Sequence, residues 1–193
     1  MQRVLVFCGS SPGRLPEYVE AARALGRELA SRGLGLVYGG AEIGVMGAIA
    51  DAVLAQGGEV IGIIPRLLLA KEVAHTGVAD MRIVETMHER KALMESLADA
   101  IIALPGGFGT LEELFEILTW AQLGIHTKPV ALLNVAGYWD RLLALIDHMV
   151  DERFLRDVQR DALLIGTDPG ELLDRMSGFQ PPSQDKWLDR SRT

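Results

Sequence analysis

The sequence contains a single cysteine, Cys8, and no apolar run long enough to cross a bilayer. One cysteine excludes an internal disulfide and is typical of a reducing compartment. A membrane span needs about 20 consecutive apolar residues, and glycine, proline or charge interrupts every apolar stretch here. The N-terminal run from Val4 to Cys8 is shorter than the roughly 7 to 15 residues of a signal-peptide core. We therefore expect a cytoplasmic protein that does not bind membranes.

Basic residues are also scarce. The chain has four lysines, and 26 acidic against 19 basic side chains leave a formal net charge of −7. This charge opposes loose binding to nucleic acid or to an anionic membrane, so any bound phosphate must be held by a local site. The 193 residues, 49% of them apolar, suit one globular domain, since common domains hold roughly 100 to 200 residues.

Short β-branched runs alternate with amphipathic stretches of helix length. The first unit is a strand from Val4 to Phe7, a helix from Pro16 to Ser31 and a strand from Leu34 to Tyr38. Apolar strands joined by helices indicate a parallel sheet covered on both faces. We predict an α/β fold, a Rossmann-like doubly wound sheet forming a single domain over residues 1–179. Residues 180–193, with two prolines and no apolar period, are predicted to be a loose tail.

The other predicted elements continue the same alternation. The strands are Val60–Ile64, Met81–Val84, Ala100–Leu104, Val130–Asn134 and Leu163–Ile165, and the helices are Val45–Ala55, His88–Leu97, Thr110–Leu123, Trp139–Val150 and Glu171–Met176.

Ligands of open parallel sheets bind beyond the carboxyl ends of the strands, and three loops at such positions are rich in glycine. They have the sequences CGSSPG (8–13), YGGAEIGVMG (38–47) and LPGGFGTLEE (104–113). In the third, Gly106, Gly107 and Gly109 would let backbone N–H groups approach an anion at the start of a helix. Thr110 adds a hydroxyl group. We predict that this loop binds a phosphate.

Two structural alternatives compete with these binding sites. Thr110 to Glu113 has the S/T-x-x-E pattern of a helix capping box, although a cap does not account for three clustered glycines. The second loop, with Gly40, Gly44 and Gly47, lacks the G-x-G-x-x-G spacing of a dinucleotide site, and the next strand ends at Pro65 instead of at an acidic residue that would bind an NAD ribose. A mononucleotide site or tight packing remain open there.

A cationic pair, Arg90 and Lys91, opens the helix before the strand that leads to the third loop. Such a pair is either solvated or placed to neutralise a phosphate and orient a carboxylate. The irregular connector from Pro65 to Thr76 carries Lys71 and Glu72, which we expect to line a cleft. No metal and no cofactor is predicted, because the spacing of the cysteine and histidines, namely Cys8, His75, His88 and His126, matches no metal site.

With PGGFGTLEE and MHERK both present, the chain from about Arg3 to Met176 resembles the LOG ("lonely guy") family of cytokinin riboside 5′-monophosphate phosphoribohydrolases. This family is also labelled lysine-decarboxylase-like. The family motif PGGxGTxxE matches Pro105 to Glu113. The resemblance implies that Arg90 and Glu113 are the catalytic pair, and that the protein is a homodimer. The label implies pyridoxal phosphate, but no lysine is paired with a pyridine-nitrogen acid in the sequence, so we reject the label.

By the same resemblance, a larger set of residues contacts the nucleotide. Thr119 lies well off the Glu113 face of its helix, so it would reach a ligand only across a subunit boundary. The residues expected to bind substrate are Glu72, Lys91, Gly106, Gly107, Phe108, Gly109, Thr110, Leu111, Glu112 and Thr119, together with Gly40, Gly44, Met46 and Gly47 of the second loop.

The predicted function is hydrolysis of the N-glycosidic bond of a purine nucleoside 5′-monophosphate, either AMP or a cytokinin-type nucleotide. Glu113 would stabilise positive charge on the ribose and position water, and Arg90 would hold Glu113 and substrate oxygens. The alternative is a non-catalytic nucleotide-binding or carrier protein, which would keep the glycine loops without needing Glu113 at the sugar. A dehydrogenase is the third option.

Overall fold

A computed structural model describes residues 1–69 and 74–182 of the chain. Seven strands, all paired in parallel, form one sheet. They are β1 (Arg3–Phe7), β2 (Gly35–Tyr38), β3 (Val60–Pro65), β4 (Asp80–Val84), β5 (Ala100–Ala103), β6 (Val130–Leu133) and β7 (Leu163–Gly166). Their order across the sheet is β4-β3-β2-β1-β5-β6-β7.

Helices cover both faces of the sheet. They are α1 (Pro16–Ser31), α2 (Gly44–Leu54), α3 (Met87–Leu97), α4 (Phe108–Gln122), α5 (Asp140–Asp151), α6 (Asp157–Asp161) and α7 (Pro169–Ser177), with short 3₁₀ turns at Arg66–Leu68 and Val135–Gly137. One core contains buried side chains of α1, α2 and α7, and the other contains those of α3, α4 and α5.

The central strands supply side chains to both cores, which explains their continuous apolar sequence. In β2, Leu36 and Tyr38 face the first core and Val37 faces the second, because successive side chains of a strand point to opposite faces. The edge strand β4 is only partly buried. The predicted doubly wound α/β fold is thus confirmed. The predicted tail at 180–193 lies mostly outside the described residues and stays a prediction.

The order of the strands determines where a ligand site can form. Strand β1 lies between β2 and β5, so the chain winds outward from β1 in both directions. At such a switch point the loops after the two central strands diverge and leave a crevice at the carboxyl edge. Here the loops that follow β1 and β5 are two of the three glycine-rich loops.

Three helix assignments differ from the sequence prediction. Helix α7 begins at Pro169, two residues before the predicted start at Glu171. Helix α4 begins at Phe108, two residues before the predicted start at Thr110, because the preceding glycines allow the backbone to enter the helix early. Helix α6 was not predicted, since five residues are too few to show a helical period. None of the helices within residues 1–69 and 74–182 has the length and apolar content to cross a membrane.

The start of α3 is fixed by a capping box at Thr86. The Thr86 hydroxyl accepts a hydrogen bond from the Glu89 N–H at 3.1 Å, and the Glu89 carboxylate accepts from the N–H groups of Glu85 and Thr86 at 2.9 and 3.4 Å. These bonds satisfy N–H groups that have no partner within the helix. They therefore define the position of the turn that carries Arg90 and Lys91.

Replacing Thr86 by alanine should lower the free energy of unfolding by about 1 kcal/mol, the usual cost of losing an N-cap side chain. Thr86→Ser should keep most of the stability, because serine accepts the same bond. Urea unfolding followed by circular dichroism measures both variants. The matched control is Thr167→Ala, since Thr167 is exposed and lies outside the described helices and strands. Equal stability of the Thr86→Ala and Thr167→Ala proteins would contradict the proposed role of the cap.

Candidate functional site

The third glycine loop leads directly into α4 without a side-chain cap. Gly107 is the N-cap residue and has no side chain that could accept a hydrogen bond from the first turn. Thr110 is buried within the first turn. The capping-box alternative for Thr110 to Glu113 is therefore wrong, because both residues lie inside the helix. The first N–H groups of α4 are open to an acceptor from outside the described chain.

The three glycines of this loop have different surroundings. A Cβ atom on Gly106 would lie 2.0 Å from the Thr110 hydroxyl oxygen and 2.9 Å from the Gly9 nitrogen, so packing alone requires glycine there. A Cβ atom on Gly107 or on Gly109 would meet no described atom within 4 Å. The protein's own packing gives no reason for glycine at these two positions, which is the arrangement expected where a ligand approaches the backbone.

Arg90 is buried at the carboxyl ends of β2 and β3, with 3% of its surface exposed. Its Nε donates to the carbonyl oxygen of Ile63 at 3.1 Å, and its Nη2 donates to that of Gly39 at 2.9 Å. A Cβ atom on Gly39 would lie 2.2 Å from Nη2. The alternative of a solvated cation is wrong for Arg90, because the fold encloses its guanidinium group.

Glu113 faces Arg90 from the inner side of α4. Its Oε1 lies 3.7 Å from Arg90 Nη1, and the residue is 6% exposed. The Cys8 thiol is close to the pair: burial raises its pKa, the Glu113 carboxylate raises it further, and Arg90 opposes this. Cys8 is therefore a neutral buried side chain, as its position at the end of a strand predicts, whereas the carboxylate and the guanidinium form the charged centre.

Lys91 follows Arg90 but takes part in a separate cluster. Its ammonium group, on a residue 7% exposed, contacts the carboxylates of Glu112 at 2.5 Å and Glu116 at 3.0 Å. Burial lowers the pKa of Lys91, but the hydrogen bonds to Glu112 and Glu116 outweigh it and the net pKa is raised. Lys91 is thus a firmly charged group beside Glu113, and the solvated alternative is wrong for it as well.

In the second loop the structure places the predicted residues in tight packing. A Cβ atom on Gly44 would lie 2.4 Å from the Ser10 carbonyl carbon, and one on Gly47 would lie 1.9 Å from the Glu42 oxygen. Gly40 has a φ of 82° and its carbonyl accepts the His75 N–H at 2.9 Å. These contacts explain the three glycines as packing. The neighbouring Met46, also predicted to bind substrate, is buried next to Gly39.

A crevice of about 220 Å³ opens at the switch point between the first and third glycine loops. Its lining includes Gly9, Ser10 and Ser11 on one side and Gly106 and Gly107 on the other. Tyr138, from the turn after β6, also lines it and donates its hydroxyl hydrogen to the Gly106 carbonyl oxygen. Sequence reasoning missed Tyr138. Its position in a loop that follows a predicted strand was the signal that could have found it.

The remaining predicted site residues are placed less centrally. Phe108 is 93% exposed at the start of α4, and Leu111 is half-buried in the same turn. Thr119 is exposed on the outer side of α4, where its hydroxyl donates to the Phe115 carbonyl oxygen at 2.7 Å. Glu72 and Lys71 lie outside the described residues. Across the described ranges, no three His, Cys, Asp or Glu side chains form a group that could hold a metal ion.

A larger cavity of about 800 Å³ lies away from Arg90 and Glu113, on the outer side of α4. Thr119 lines it together with apolar residues from α4, α5 and the segment after α7. Among these are Phe115, Leu123, Met149, Phe154 and Phe179. The charged centre, in contrast, is at the inner side of the same helix, so the volume of a cavity does not identify the site.

Comparison with known proteins identifies the family of this chain. The family model described as "Possible lysine decarboxylase" matches residues 46–176. A cytokinin riboside 5′-monophosphate phosphoribohydrolase of Arabidopsis thaliana is 48% identical over 180 residues, which cover 93% of this chain and 83% of the relative. The enzyme named LOG of Oryza sativa subsp. japonica is 49% identical over 93% of this chain and 74% of its own length.

Solved structures support the fold. The molybdenum cofactor carrier protein of Chlamydomonas reinhardtii superposes with a TM-score of 0.70 over 92% of this chain and 99% of its own, at 18% identity. At that identity the likeness concerns the fold alone.

The family is shown by the sequence comparisons. The two curated relatives are nearly half identical to this chain over 93% of its length, and the family model covers residues 46–176. This chain therefore belongs to the LOG family of phosphoribohydrolases, the family that the lysine-decarboxylase-like model describes.

Proposed function

We propose that this protein hydrolyses the N-glycosidic bond of a purine nucleoside 5′-monophosphate and releases the free base and ribose 5-phosphate. The observation that carries the proposal is the placement of two groups on one helix. The open N-terminus of α4 offers an anion site, and Glu113, buried against Arg90, follows on the inner side of the same helix. The names of the relatives, which specify a riboside 5′-monophosphate substrate, support the same class of substrate.

The N-terminus of α4 suits the phosphate group. Its first N–H groups lack a side-chain cap, and the partial positive charge of a helix start favours an anion. The empty space beside Gly107 and Gly109 would let phosphate oxygens approach the backbone. This local site resolves the conflict between an anionic ligand and a chain with a formal net charge of −7.

Glu113 suits the anomeric carbon of the ribose. Glu113 lies six positions after Gly107, which corresponds to about 9 Å along the helix axis at 1.5 Å per residue, a span suited to a phosphorylated ribose. Cleavage of the C1′–N9 bond leaves positive charge on C1′ and the ring oxygen, which a nearby carboxylate stabilises. Glu113 would also accept a proton from the water that attacks C1′, while the electrons of the broken bond pass to N9 of the base. That proton would then be delivered to the departing base, which leaves as the neutral free base and returns Glu113 to its carboxylate form.

Arg90 fixes the position of the Glu113 carboxylate. Its guanidinium is itself held by the carbonyl groups of Ile63 and Gly39, so it cannot follow Glu113 into other conformations. A catalytic group held in this way needs little reorganisation during the reaction. The positive charge of the buried Lys91 is already matched by the carboxylates of Glu112 and Glu116, so Arg90 is the cation that pairs with Glu113.

The residues do not fit a decarboxylase that uses pyridoxal phosphate. A lysine that forms an imine must lose its proton, which requires a lowered pKa. Of the two lysines that the structure describes, Lys91 lies at this edge of the sheet, and its hydrogen bonds to Glu112 and Glu116 raise its pKa. We therefore derive no step through that cofactor for this site. The cytoplasmic location expected from the single cysteine stays a prediction.

A homodimer is part of the proposal, and the outer side of α4 is its expected interface. Ile125 is 62% exposed and Phe154 86% exposed, and the neighbouring 800 Å³ cavity is lined largely by apolar side chains. Large exposed apolar patches mark interaction surfaces in most proteins. Thr119 lies on this surface, where it could reach a nucleotide only in a partner subunit.

Glu113→Gln should lower kcat for AMP at least 100-fold, the order expected for loss of an acid or base catalyst, because glutamine neither neutralises the ribosyl cation nor accepts a proton. Chromatography of released adenine measures the rate, and N6-prenylated AMP is assayed in parallel to identify the preferred base. The control is Glu17→Gln, an exposed carboxylate of α1. Near-normal turnover by Glu113→Gln would refute the assignment. Saturable AMP binding without base release by the native protein would instead favour the carrier function.

Gly109→Ala separates phosphate binding from stability. The added methyl group meets no described atom, and alanine in place of glycine within a helix stabilises by roughly 0.5–1 kcal/mol. We expect a higher free energy of unfolding together with a KM for AMP raised about tenfold, since the methyl group occupies the space of the phosphate. Urea unfolding and initial rates measure the two effects. An unchanged KM would show that the phosphate does not bind at this loop.

Replacing Phe154 by glutamate should convert the protein from a dimer to a monomer, because a charge would be buried in the apolar interface. Sedimentation equilibrium should give twice the chain mass of 21.0 kDa for the native protein and the single mass for the variant. Glu152→Gln, an exposed residue just after α5, is the control. A native protein that sediments as a monomer would remove the proposed interface.

A further inference from the structure

Tyr138 is a residue of the crevice that the proposed chemistry does not yet use. Its hydroxyl donates a hydrogen bond to the Gly106 carbonyl oxygen. Its ring packs edge-on against Tyr18, with centroids 5.6 Å apart, and against Trp139 at 4.8 Å. These contacts hold the ring at the wall of the 220 Å³ crevice, between the first and third glycine loops.

The turn that carries Tyr138 is itself fixed in an unusual shape. Ala136 has a φ of 50°, a left-handed conformation that non-glycine residues seldom adopt, and Gly137 follows with a φ of 70°. The side chain of Asn134 bridges the turn: its oxygen accepts the Trp139 N–H at 2.8 Å, and its amide donates to Asp140 at 2.7 Å. A residue in such a backbone conformation persists only where the surrounding contacts hold it. The bonds of Asn134 therefore fix the position of the turn that carries Tyr138.

The hydrogen bond from Tyr138 to the Gly106 carbonyl oxygen also fixes the direction of the N–H group of the next residue, Gly107. In a planar trans peptide the carbonyl of Gly106 and the N–H of Gly107 point in opposite directions. A donor that fixes the carbonyl oxygen therefore fixes the direction of the N–H. Gly107 is the N-cap residue of α4, and no side chain caps this helix. The Gly107 N–H thus belongs to the group of donors at the helix start that would contact a phosphate.

We infer that Tyr138 is a positioning residue that orients the Gly106–Gly107 peptide toward the 5′-phosphate and so determines how strongly the enzyme prefers nucleotides to nucleosides. The inference rests on the proposed function, since it concerns the phosphate end of the same site. Tyr138 acts through the Gly106–Gly107 peptide and does not touch the bond that is cleaved. We therefore expect it to affect the affinity for the phosphorylated substrate. The hydroxyl group carries the effect, while the ring fills the wall of the crevice.

Tyr138→Phe tests the inference, because it removes the hydroxyl and keeps the ring. We expect the Kd for ribose 5-phosphate, measured by calorimetry, to rise about tenfold, which is the effect of weakening one hydrogen bond to a charged group. The KM for AMP should rise by the same factor with kcat within about twofold. The kcat/KM for adenosine should not change. Ser31→Ala, which removes a hydroxyl bonded to the Glu28 carbonyl in α1, is the matched control and should behave as the native protein.

A role that is merely structural would lower kcat/KM for AMP and adenosine in the same proportion, and that result would overturn the inference. A Kd for ribose 5-phosphate unchanged in Tyr138→Phe would overturn it as well. Calorimetry does not depend on turnover, so the two proposals can fail separately. If the native protein binds ribose 5-phosphate but releases no base from AMP, the proposed hydrolysis fails while the Kd comparison still decides the role of Tyr138.

Discussion

A guanidinium group removed from water needs partners for its charge and for its N–H groups, and the site is built around meeting this need for Arg90. Two carbonyl groups at the ends of β2 and β3 and the carboxylate of Glu113 surround it. An unpaired buried charge is strongly destabilising, so each partner contributes to stability as well as to the proposed chemistry. Gly39 must lack a side chain because Nη2 occupies the place of its Cβ. The most constrained group in the protein therefore lies next to the proposed catalytic carboxylate.

The layout of the sheet was predictable because each strand is a short apolar run between helical periods, and parallel pairing follows from the helical crossovers. Local rules were less reliable where two segments share one pattern. Thr86 to Glu89 and Thr110 to Glu113 both read T-x-x-E, yet only the first is a capping box. The difference lies in the preceding residues, since the glycines before Thr110 let α4 start earlier. A four-residue pattern does not contain that information.

Site residues could be predicted from the sequence where the chemistry requires a particular residue type. They could not be predicted where only a tertiary contact brings the residue to the site. The roles of the site residues stay predictions. The glycine loop was predicted from its spacing, the cationic pair from its place before the same strand, and the catalytic roles of Arg90 and Glu113 from the family resemblance. Tyr138 was not, because its contact with Gly106 joins residues 32 positions apart through a turn whose shape depends on Asn134. The pairing of Lys91 with Glu116 was equally hidden, since it depends on how α3 packs beside α4.

Helix α4 connects three regions with different proposed functions, namely its start, its inner side and its outer side. Its start faces the crevice, Glu113 and Leu114 face inward, and Phe115 and Thr119 face outward toward the apolar surface. A helix moves as a rigid body over this length, because each turn is bonded to the next. Packing of a second subunit against Phe115 would therefore restrain Glu113 and the phosphate loop together. Dimer formation and the proposed catalysis would then be coupled through one helix, even without a partner residue in the site.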